Sequence, residues 1–131
     1  MSNPTQYKKV IVIDDDPINN MICEKMLHYI GFAEHIDSFL SAVDALEWLK
    51  DFKEKTSDVF ILLDINLPLM NGWEFLDQLQ ILKENGYTPD FDIYMHSSSV
   101  SIEDQQKALG HPLVKGFLLK PLTLEKLGEL K

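Results

Sequence analysis

Cysteine is scarce in this sequence. Cys23 is the single cysteine among 131 residues, so no internal disulfide can form and a reducing compartment is expected. Long hydrophobic runs are also absent, since no apolar stretch approaches the ~20 residues that a membrane span needs. The polar segment 1–8 lacks the apolar core of a signal peptide. These absences predict a soluble, cytoplasmic protein whose residues 1–8 form a flexible N-terminal segment.

Basic side chains are few as well. The chain has 12 lysine plus arginine residues against 21 acidic ones, which gives a formal net charge of −9. An acidic surface is repelled by phosphate backbones and by anionic lipid, so direct binding of nucleic acid or of a membrane is disfavoured. The length and a hydrophobic content of 45% indicate one domain, 1–131, with no room for a second, output-type domain.

Five predicted strands alternate with five amphipathic segments along the chain. Four of the strands are apolar runs, 10–13, 59–63, 93–95 and 117–119, and a weaker strand is predicted over 33–39 with Ile36 as its apolar centre. Capping residues mark the starts of four of the helices: Asp16 with Pro17, Ser41, Ser101 and Thr123. The apolar face of the first helix is predicted by four residues at four-residue spacing: Ile18, Ile22, Met26 and Ile30. The last helix, within 123–131, is expected to be short.

This alternation predicts an α/β fold, a three-layer, doubly wound, flavodoxin-like domain around a five-stranded parallel sheet. In a doubly wound sheet of this size the common strand order is 2-1-3-4-5. Strands 1 and 3 are then neighbours, and ligands bind at the carboxyl ends of the strands where the order reverses. The four carboxylates that follow these two strands are therefore expected at one crevice: Asp14, Asp15, Asp16 and Asp64.

Carboxylates that converge at one crevice repel each other, and a hard divalent cation relieves the repulsion. Mg²⁺ prefers oxygen ligands and typically uses one or two carboxylates together with a phosphate. Asp15 and Asp64 supply carboxylates of the right kind. Strands 4 and 5 lead into a hydroxyl, Ser97, and an ammonium group, Lys120. A carboxylate nucleophile, a divalent cation, a lysine and a hydroxyl together predict a phosphoryl-transfer site.

With these motifs in this order, the sequence resembles the receiver domain of two-component response regulators, of the single-domain, chemotaxis-regulator-like kind. The matching motifs are Asp14-Asp15, the segment 64–72 that begins with Asp64, Ser97, and Lys120-Pro121. The resemblance implies a stand-alone response regulator that accepts a phosphoryl group from a sensor histidine kinase or a histidine phosphotransfer protein. Its downstream protein target is unknown from sequence, and a monomer or a phosphorylation-dependent dimer is expected.

The resemblance also implies a role for each matching residue of the site. Asp64 is the phospho-acceptor, and Lys120 pairs with the transferred phosphoryl group. Mg²⁺, or Mn²⁺ in its place, is held by the carboxylates of Asp14, Asp15 and Asp64 and by the backbone carbonyl of Asn66. The domain would catalyse its own phosphorylation and dephosphorylation, so it is not expected to be an enzyme with a turnover substrate.

Further positions follow from the same resemblance. Ser97 would bond a phosphoryl oxygen and act as a switch together with Phe117, which has no hydroxyl and would work by packing. Asn66 and Ser99, each two residues beyond a site residue, would tune dephosphorylation. The Lys120-Pro121 peptide bond is expected to be cis, although only about 5–6% of X–Pro bonds are cis in general.

Two other functions stay open at this point. One is a pseudo-receiver, a protein-interaction module with the same fold and no phosphorylation. The other is a phosphatase of the haloacid-dehalogenase type, because Asp14 and Asp16 form the Asp-x-Asp pattern that such enzymes place after their first strand. A separate hypothesis concerns His96, which lies beside the site and would lend it pH sensitivity between pH 6 and 8.

Overall fold

A computed structural model describes residues 7–52 and 58–130 of the chain. Strands and helices alternate in the order β1 (Tyr7–Ile13), α1 (Pro17–Tyr29), β2 (Ala33–Phe39), α2 (Ala42–Asp51), β3 (Val59–Leu63), α3 (Gly72–Glu84), β4 (Asp92–Ser97), α4 (Ile102–Gly110), β5 (Val114–Leu119) and α5 (Leu124–Gly128). The strands form one parallel sheet in the order β2-β1-β3-β4-β5. The predicted flavodoxin-like fold is confirmed.

Hydrophobic clusters cover both faces of the sheet. On one face, side chains such as Ile11 and Ile61 pack with α2 and α3. On the other face, side chains such as Val12 and Leu62 pack with α1 and α5. Every residue of β3 is buried, which explains why its sequence is a continuous apolar run without alternation. The strand that leads to Asp64 is thus the buried central strand of the sheet.

Strand β1 begins earlier than its apolar run indicates. The structure places Tyr7 and Lys8 in this strand, rather than in the flexible segment expected for 1–8; residues 1–6 lie outside the described part of the chain. The Tyr7 N–H donates to the Phe32 carbonyl at 3.0 Å, and the Tyr7 hydroxyl donates to Asp92 at 2.7 Å. Both partners are distant in sequence, so a local pattern does not show them.

The buried face of α1 differs from the predicted one. Asn20, Cys23 and Leu27 are buried, whereas Ile18 is 63% exposed and Ile22 is 49% exposed. Of the four residues with four-residue spacing, Met26 alone packs partly against the core, and the buried face follows a spacing of three and then four residues. Both faces of this helix carry apolar side chains, so periodicity alone did not separate them.

The four predicted caps are present. Asp16, Ser41, Ser101 and Thr123 each precede a helix and accept a hydrogen bond from a backbone N–H of its first turn. Helix α5 is only five residues long, as its sequence indicates. Within 7–52 and 58–130, the helices are all too short or too polar to cross a lipid bilayer.

Candidate functional site

The carboxyl ends of four strands meet at one edge of the sheet. Asp14 follows β1 and Asp64 follows β3, and the Asp64 N–H donates to the Ile13 carbonyl at 3.0 Å. Ser97 ends β4, and the Lys120 N–H donates to the Ser97 carbonyl at 2.8 Å. These backbone bonds fix the strand ends beside one another, so the side chains predicted to share a crevice do lie together.

Three carboxylates form a cluster at this edge. Asp14, Asp15 and Asp64 each offer one oxygen, and these oxygens lie within 4.8 Å of one another. Asp14 and Asp64 are 2% and 6% exposed, while Asp15 is open to solvent. Asp16 is not part of this cluster. Its side chain instead caps α1 by accepting a hydrogen bond from the Ile18 N–H at 2.9 Å. The cluster therefore has three carboxylates rather than the four expected.

Lys120 supplies positive charge to the cluster. Its Nζ lies 2.6 Å from Asp14 Oδ2 and 3.5 Å from Asp64 Oδ2. Burial disfavours the ammonium form, but the hydrogen bond to Asp14 and the charges of both carboxylates outweigh it, so the pKa of Lys120 is raised. The lysine is therefore charged at neutral pH. One ammonium group against three carboxylates still leaves a negative excess at the site.

Asp64 is the carboxylate whose protonation is most affected by the site. Burial, and then the neighbouring charge of Asp14, raise the pKa of Asp64. The charge of Lys120 and the Asn66 N–H, which donates to Asp64 Oδ1 at 3.4 Å, oppose this rise. A raised pKa makes a carboxylate more basic, which favours its use as a nucleophile. It also means that additional positive charge beside Asp64 would stabilise the ionised form.

Two asparagines of α1 hold Asp14 in position. Asn19 Nδ2 donates to Asp14 Oδ2 at 2.8 Å, and Asn20 Nδ2 donates to the Asp14 carbonyl at 3.0 Å. The Asp16 N–H donates to Asp14 Oδ1 at 2.9 Å. Sequence reasoning missed both asparagines, because two polar residues in a helix give no signal until the helix folds back beside the strand end.

The turn after Asp64 packs closely against it. The Gly72 N–H donates to the Ile65 carbonyl at 2.9 Å. A Cβ atom at position 72 would lie 2.5 Å from the Asp64 carbonyl oxygen, so any other residue would push this turn away from the strand. Asn71 and Glu74 complete a capping box at the start of α3. The segment 64–72 is thus part of the frame of the site.

Ser97 and Ser99 form a hydroxyl network with the start of α4. Ser97 is fully buried, and its Oγ accepts from the Ser99 N–H at 3.1 Å. The Ser99 hydroxyl donates to Asp104 Oδ2 at 2.8 Å and accepts from the Ser101 N–H at 3.2 Å. The bond from Ser99 to Asp104 gives no signal in the sequence, since it depends on the path of the loop 97–101.

Phe117 lies on β5 at the position predicted for a packing switch. It pairs with Met95 in the register of β4 and β5, two residues before the pair of Ser97 with Leu119. Its ring is half-buried against the cluster on the α2 and α3 face of the sheet. The structure thus places Phe117 in the same strand pair as the site, where its role as a switch stays a prediction.

The segment around Lys120 is held from α5. The Lys120-Pro121 peptide bond is cis, as the resemblance implies. Lys126 Nζ donates to the carbonyls of Leu119 and Pro121, at 2.6 and 2.8 Å. These two carbonyls lie on either side of Lys120, so a single side chain of the short last helix clamps the loop that carries the lysine of the site.

His96 and Cys23 are buried on the α1 and α5 side of the sheet. Burial, and then the charge of Lys120, lower the pKa of His96 to about 4. The imidazole is therefore neutral between pH 6 and 8, which gives no support to the hypothesis of pH sensitivity in that range.

Burial and the charge of Asp14 raise the pKa of Cys23 to about 11. The thiol stays protonated, as expected for a packing role.

Comparisons with known proteins agree with this arrangement. The family model that matches residues 10–130 is described as the response regulator receiver domain. Hybrid signal transduction histidine kinase L of Dictyostelium discoideum is 31% identical over 122 residues, which make up 93% of this chain and 7% of that protein. The chain thus spans only a small part of this curated relative.

Solved structures share the fold over most of the chain. A response regulator receiver protein from Dyadobacter fermentans is 31% identical, with a TM-score of 0.80 and 93% of each chain covered. Chemotaxis protein CheY4 of Vibrio cholerae is 25% identical, with a TM-score of 0.71 and 95% of each chain covered. On the family match over 121 of its 131 positions and on the sheet order, this chain belongs to the family of response regulator receiver domains.

Proposed function

We propose that this domain accepts a phosphoryl group on Asp64 from a phosphohistidine, carried by a sensor histidine kinase or a histidine phosphotransfer protein. The observation that carries the proposal is the clustering of Asp14, Asp15 and Asp64 within 4.8 Å, with the Lys120 ammonium 3.5 Å from Asp64. A nucleophile, acids that suit a cation, and a fixed positive charge are what phosphoryl transfer requires.

The transfer step uses the carboxylate of Asp64 as nucleophile. One of its oxygens attacks phosphorus, and the new O–P bond forms as the P–N bond of the phosphohistidine breaks. The electron pair of that bond leaves with the imidazole nitrogen of the partner. Lys120, whose raised pKa keeps it charged, stabilises the negative charge on the phosphoryl oxygens as the group arrives.

The carboxylates fit the Mg²⁺ ion that the family implies. Three carboxylate oxygens form a hard, oxygen-only donor set, and Lys120 leaves part of their charge uncompensated. Asp14, Asp15 and Asp64 would hold Mg²⁺, or Mn²⁺ in its place, with the carbonyl of Asn66 as a further ligand. When bound, the ion neutralises charge on the transferred phosphoryl oxygens. Asp15 is the exposed member of the three and gives the ion a path from solvent.

Ser97 is suited to contact the phosphoryl group after transfer. Its Oγ already accepts from the Ser99 N–H, so its own O–H remains for donation to a phosphoryl oxygen. That donation would draw the end of β4 toward Asp64, and a surface change would follow from the movement of β4 and its neighbour β5. Phe117, half-buried beside Met95, would repack in response.

The partner that brings the phosphohistidine is expected to dock on α1. Ile18, Met21 and Ile22 are 63%, 47% and 49% exposed, and α1 begins directly after the acids of the site. An exposed apolar stripe of this kind indicates a protein interaction surface. Because α1 begins directly after the acids that follow β1, a partner seated on the stripe would present its histidine on the side of the site.

The phosphatase alternative is not favoured by the geometry. It requires Asp14 as nucleophile, but the Asp14 carboxylate is engaged by Lys120, Asn19 and the Asp16 N–H. Asp64 has the weaker set of contacts and is freer to react. Turnover of p-nitrophenyl phosphate that is lost in Asp14→Asn would restore the phosphatase alternative; we propose that the domain has no such turnover substrate.

Incubation with acetyl phosphate and Mg²⁺ tests the proposal and separates it from the pseudo-receiver. A gain of one phosphoryl group in the intact mass is expected for the wild type. The gain is expected to be lost in Asp64→Asn. A folded wild-type protein that takes up no phosphate from acetyl phosphate or phosphoramidate would instead be a pseudo-receiver.

A further inference from the structure

We propose that Asp104 is a positioning residue, which keeps the Ser99 hydroxyl turned toward α4 and thereby slows the loss of the phosphoryl group from Asp64. This inference rests on the proposed function. It concerns the lifetime of the phosphorylated state rather than its formation, and Asp104 itself touches none of the reacting atoms.

The Ser99 hydroxyl uses both its hydrogen and its oxygen in hydrogen bonds. Its hydroxyl donates its hydrogen to Asp104 Oδ2 at 2.8 Å, and its oxygen accepts from the Ser101 N–H at 3.2 Å. A serine hydroxyl has a single hydrogen to donate. While the bond to Asp104 persists, Ser99 has no hydrogen with which to orient a water molecule at the phosphoryl group.

Ser99 is nevertheless close to the site. Its backbone N–H donates to Ser97 Oγ at 3.1 Å, and Ser97 is the hydroxyl proposed to contact the phosphoryl group. A hydroxyl released from Asp104 would be free to rotate while its backbone stays bonded to Ser97. A water molecule held there by Ser99 would attack the phosphorus, and its oxygen would form a new O–P bond as the bond between phosphorus and the Asp64 oxygen breaks. The electron pair of that bond returns to the Asp64 carboxylate, inorganic phosphate leaves, and the proton of the water passes to solvent.

Helix α4 packs against β5 and buries Ala108. The loop that follows β4 is joined to its first turn by the Ser101 cap and by the bond from Ser99 to Asp104. Of these, the bond to Asp104 is the one that holds the Ser99 hydroxyl. Glu103, the neighbour of Asp104 in the same first turn, is exposed and serves as a charge-matched control.

The experiment measures dephosphorylation directly. Wild type, Asp104→Ala and Glu103→Ala are phosphorylated with acetyl phosphate and Mg²⁺, the donor is removed, and the loss of phosphate is followed by intact mass. We expect Asp104→Ala to lose phosphate roughly threefold to tenfold faster, the effect of one hydrogen bond. Glu103→Ala should match the wild type. Asp104→Asn, which keeps an acceptor oxygen, should restore most of the wild-type lifetime.

A double-mutant cycle separates positioning from general loosening of the fold. Ser99→Ala and the double variant Ser99→Ala with Asp104→Ala should lose phosphate at equal rates, because the hydroxyl is gone from both. A faster loss in the double variant would overturn the proposal, as would an unchanged rate in Asp104→Ala.

If Asp104→Ala does not fold, Asp104→Ser takes its place, because the serine side chain is too short to reach Ser99. A wild type that takes up no phosphate refutes the proposed function as well, whereas uptake with unaltered decay refutes this inference alone.

Discussion

Lys120 pairs with both Asp14 and Asp64 but lies closer to Asp14. Its Nζ lies 2.6 Å from Asp14 Oδ2 but 3.5 Å from Asp64 Oδ2. The lysine therefore lies beside Asp64, the proposed acceptor, and leaves it an oxygen for reaction. A phosphoryl group on Asp64 would add negative charge, which favours a shift of Lys120 toward it. The lysine thus stabilises the fold before phosphorylation, and we expect it to pair with the phosphoryl group afterwards.

Removing this lysine should destabilise the fold. Lys120→Met leaves Asp14 and Asp64 buried together without their shared cation, and breaking a largely buried ion pair costs several kcal/mol in general. Because the Lys120 side chain is 21% exposed, we expect a smaller loss of about 2 kcal/mol in the free energy of unfolding by urea at pH 7. Lys50→Met, which removes an exposed pair with Glu47, should stay within about 0.5 kcal/mol. Equal effects of the two variants would contradict the account.

Neutralising the acceptor should stabilise the domain at neutral pH. The raised pKa of Asp64 means that the folded protein binds this proton more tightly than the unfolded chain. Ionised Asp64 therefore costs stability above its folded pKa, and the cost disappears as pH falls below the unfolded value of about 3.9. Asp64→Asn is expected to unfold at higher urea concentration than the wild type at pH 7, with the difference shrinking toward pH 4. Asp77→Asn, an exposed carboxylate on α3, should show no such pH-dependent gain.

Mg²⁺ should raise the thermal stability of the wild type through the acid cluster. A ligand at 100 times its dissociation constant stabilises the folded state by about 2.7 kcal/mol. The rise in melting temperature should be lost in Asp15→Asn and reduced in Asp64→Asn. Asp16→Asn is the matched control, because asparagine is also a good N-cap and Asp16 lies outside the cluster. Loss of the Mg²⁺ effect in Asp16→Asn, or its retention in Asp15→Asn, would argue against this site.

Acid should destabilise the domain through His96. Because its folded pKa is lowered to about 4, the unfolded chain binds this proton more readily. Stability is fully present above the unfolded value of about 6.5 and is lost as pH falls from there toward 4, by roughly 3 kcal/mol at most. His96→Gln should flatten this part of the stability profile relative to the wild type, and replacement of the exposed His35 by glutamine should not.

The phosphorylation rates of wild type and His96→Leu should change with pH in parallel between pH 6 and 8.

The strand order and the convergence of the acids were predictable from sequence. Four strands are marked by runs of apolar residues, and in a parallel sheet the residues that follow such runs share one edge. Asp14, Asp64, Ser97 and Lys120 could be placed on that edge for this reason alone. Local patterns carry this information because burial on both faces of the sheet dictates the residue types.

Other features depend on tertiary contacts that leave no local pattern. The buried face of α1 was mistaken because Ile22 and Cys23 are both apolar, and only the packing of α1 against the sheet shows which of them faces inward. The support of Asp14 by Asn19 and the bond from Ser99 to Asp104 each depend on how one loop folds back. These contacts join common polar residues that lie five positions apart, and the residue types alone do not indicate that they pair. They can be recognised only when the path of the backbone is known.

Phosphoryl uptake on Asp64 is measured most directly at the level of the peptide. The wild-type protein is incubated with acetyl phosphate and Mg²⁺, the acyl phosphate is reduced with borohydride, and the digested peptides are analysed by mass spectrometry. We expect conversion of Asp64 alone, dependent on Mg²⁺ and abolished by chelation. A phosphate located on Asp14 or Asp15, or no modified peptide at all from a folded protein, would contradict the role proposed for Asp64.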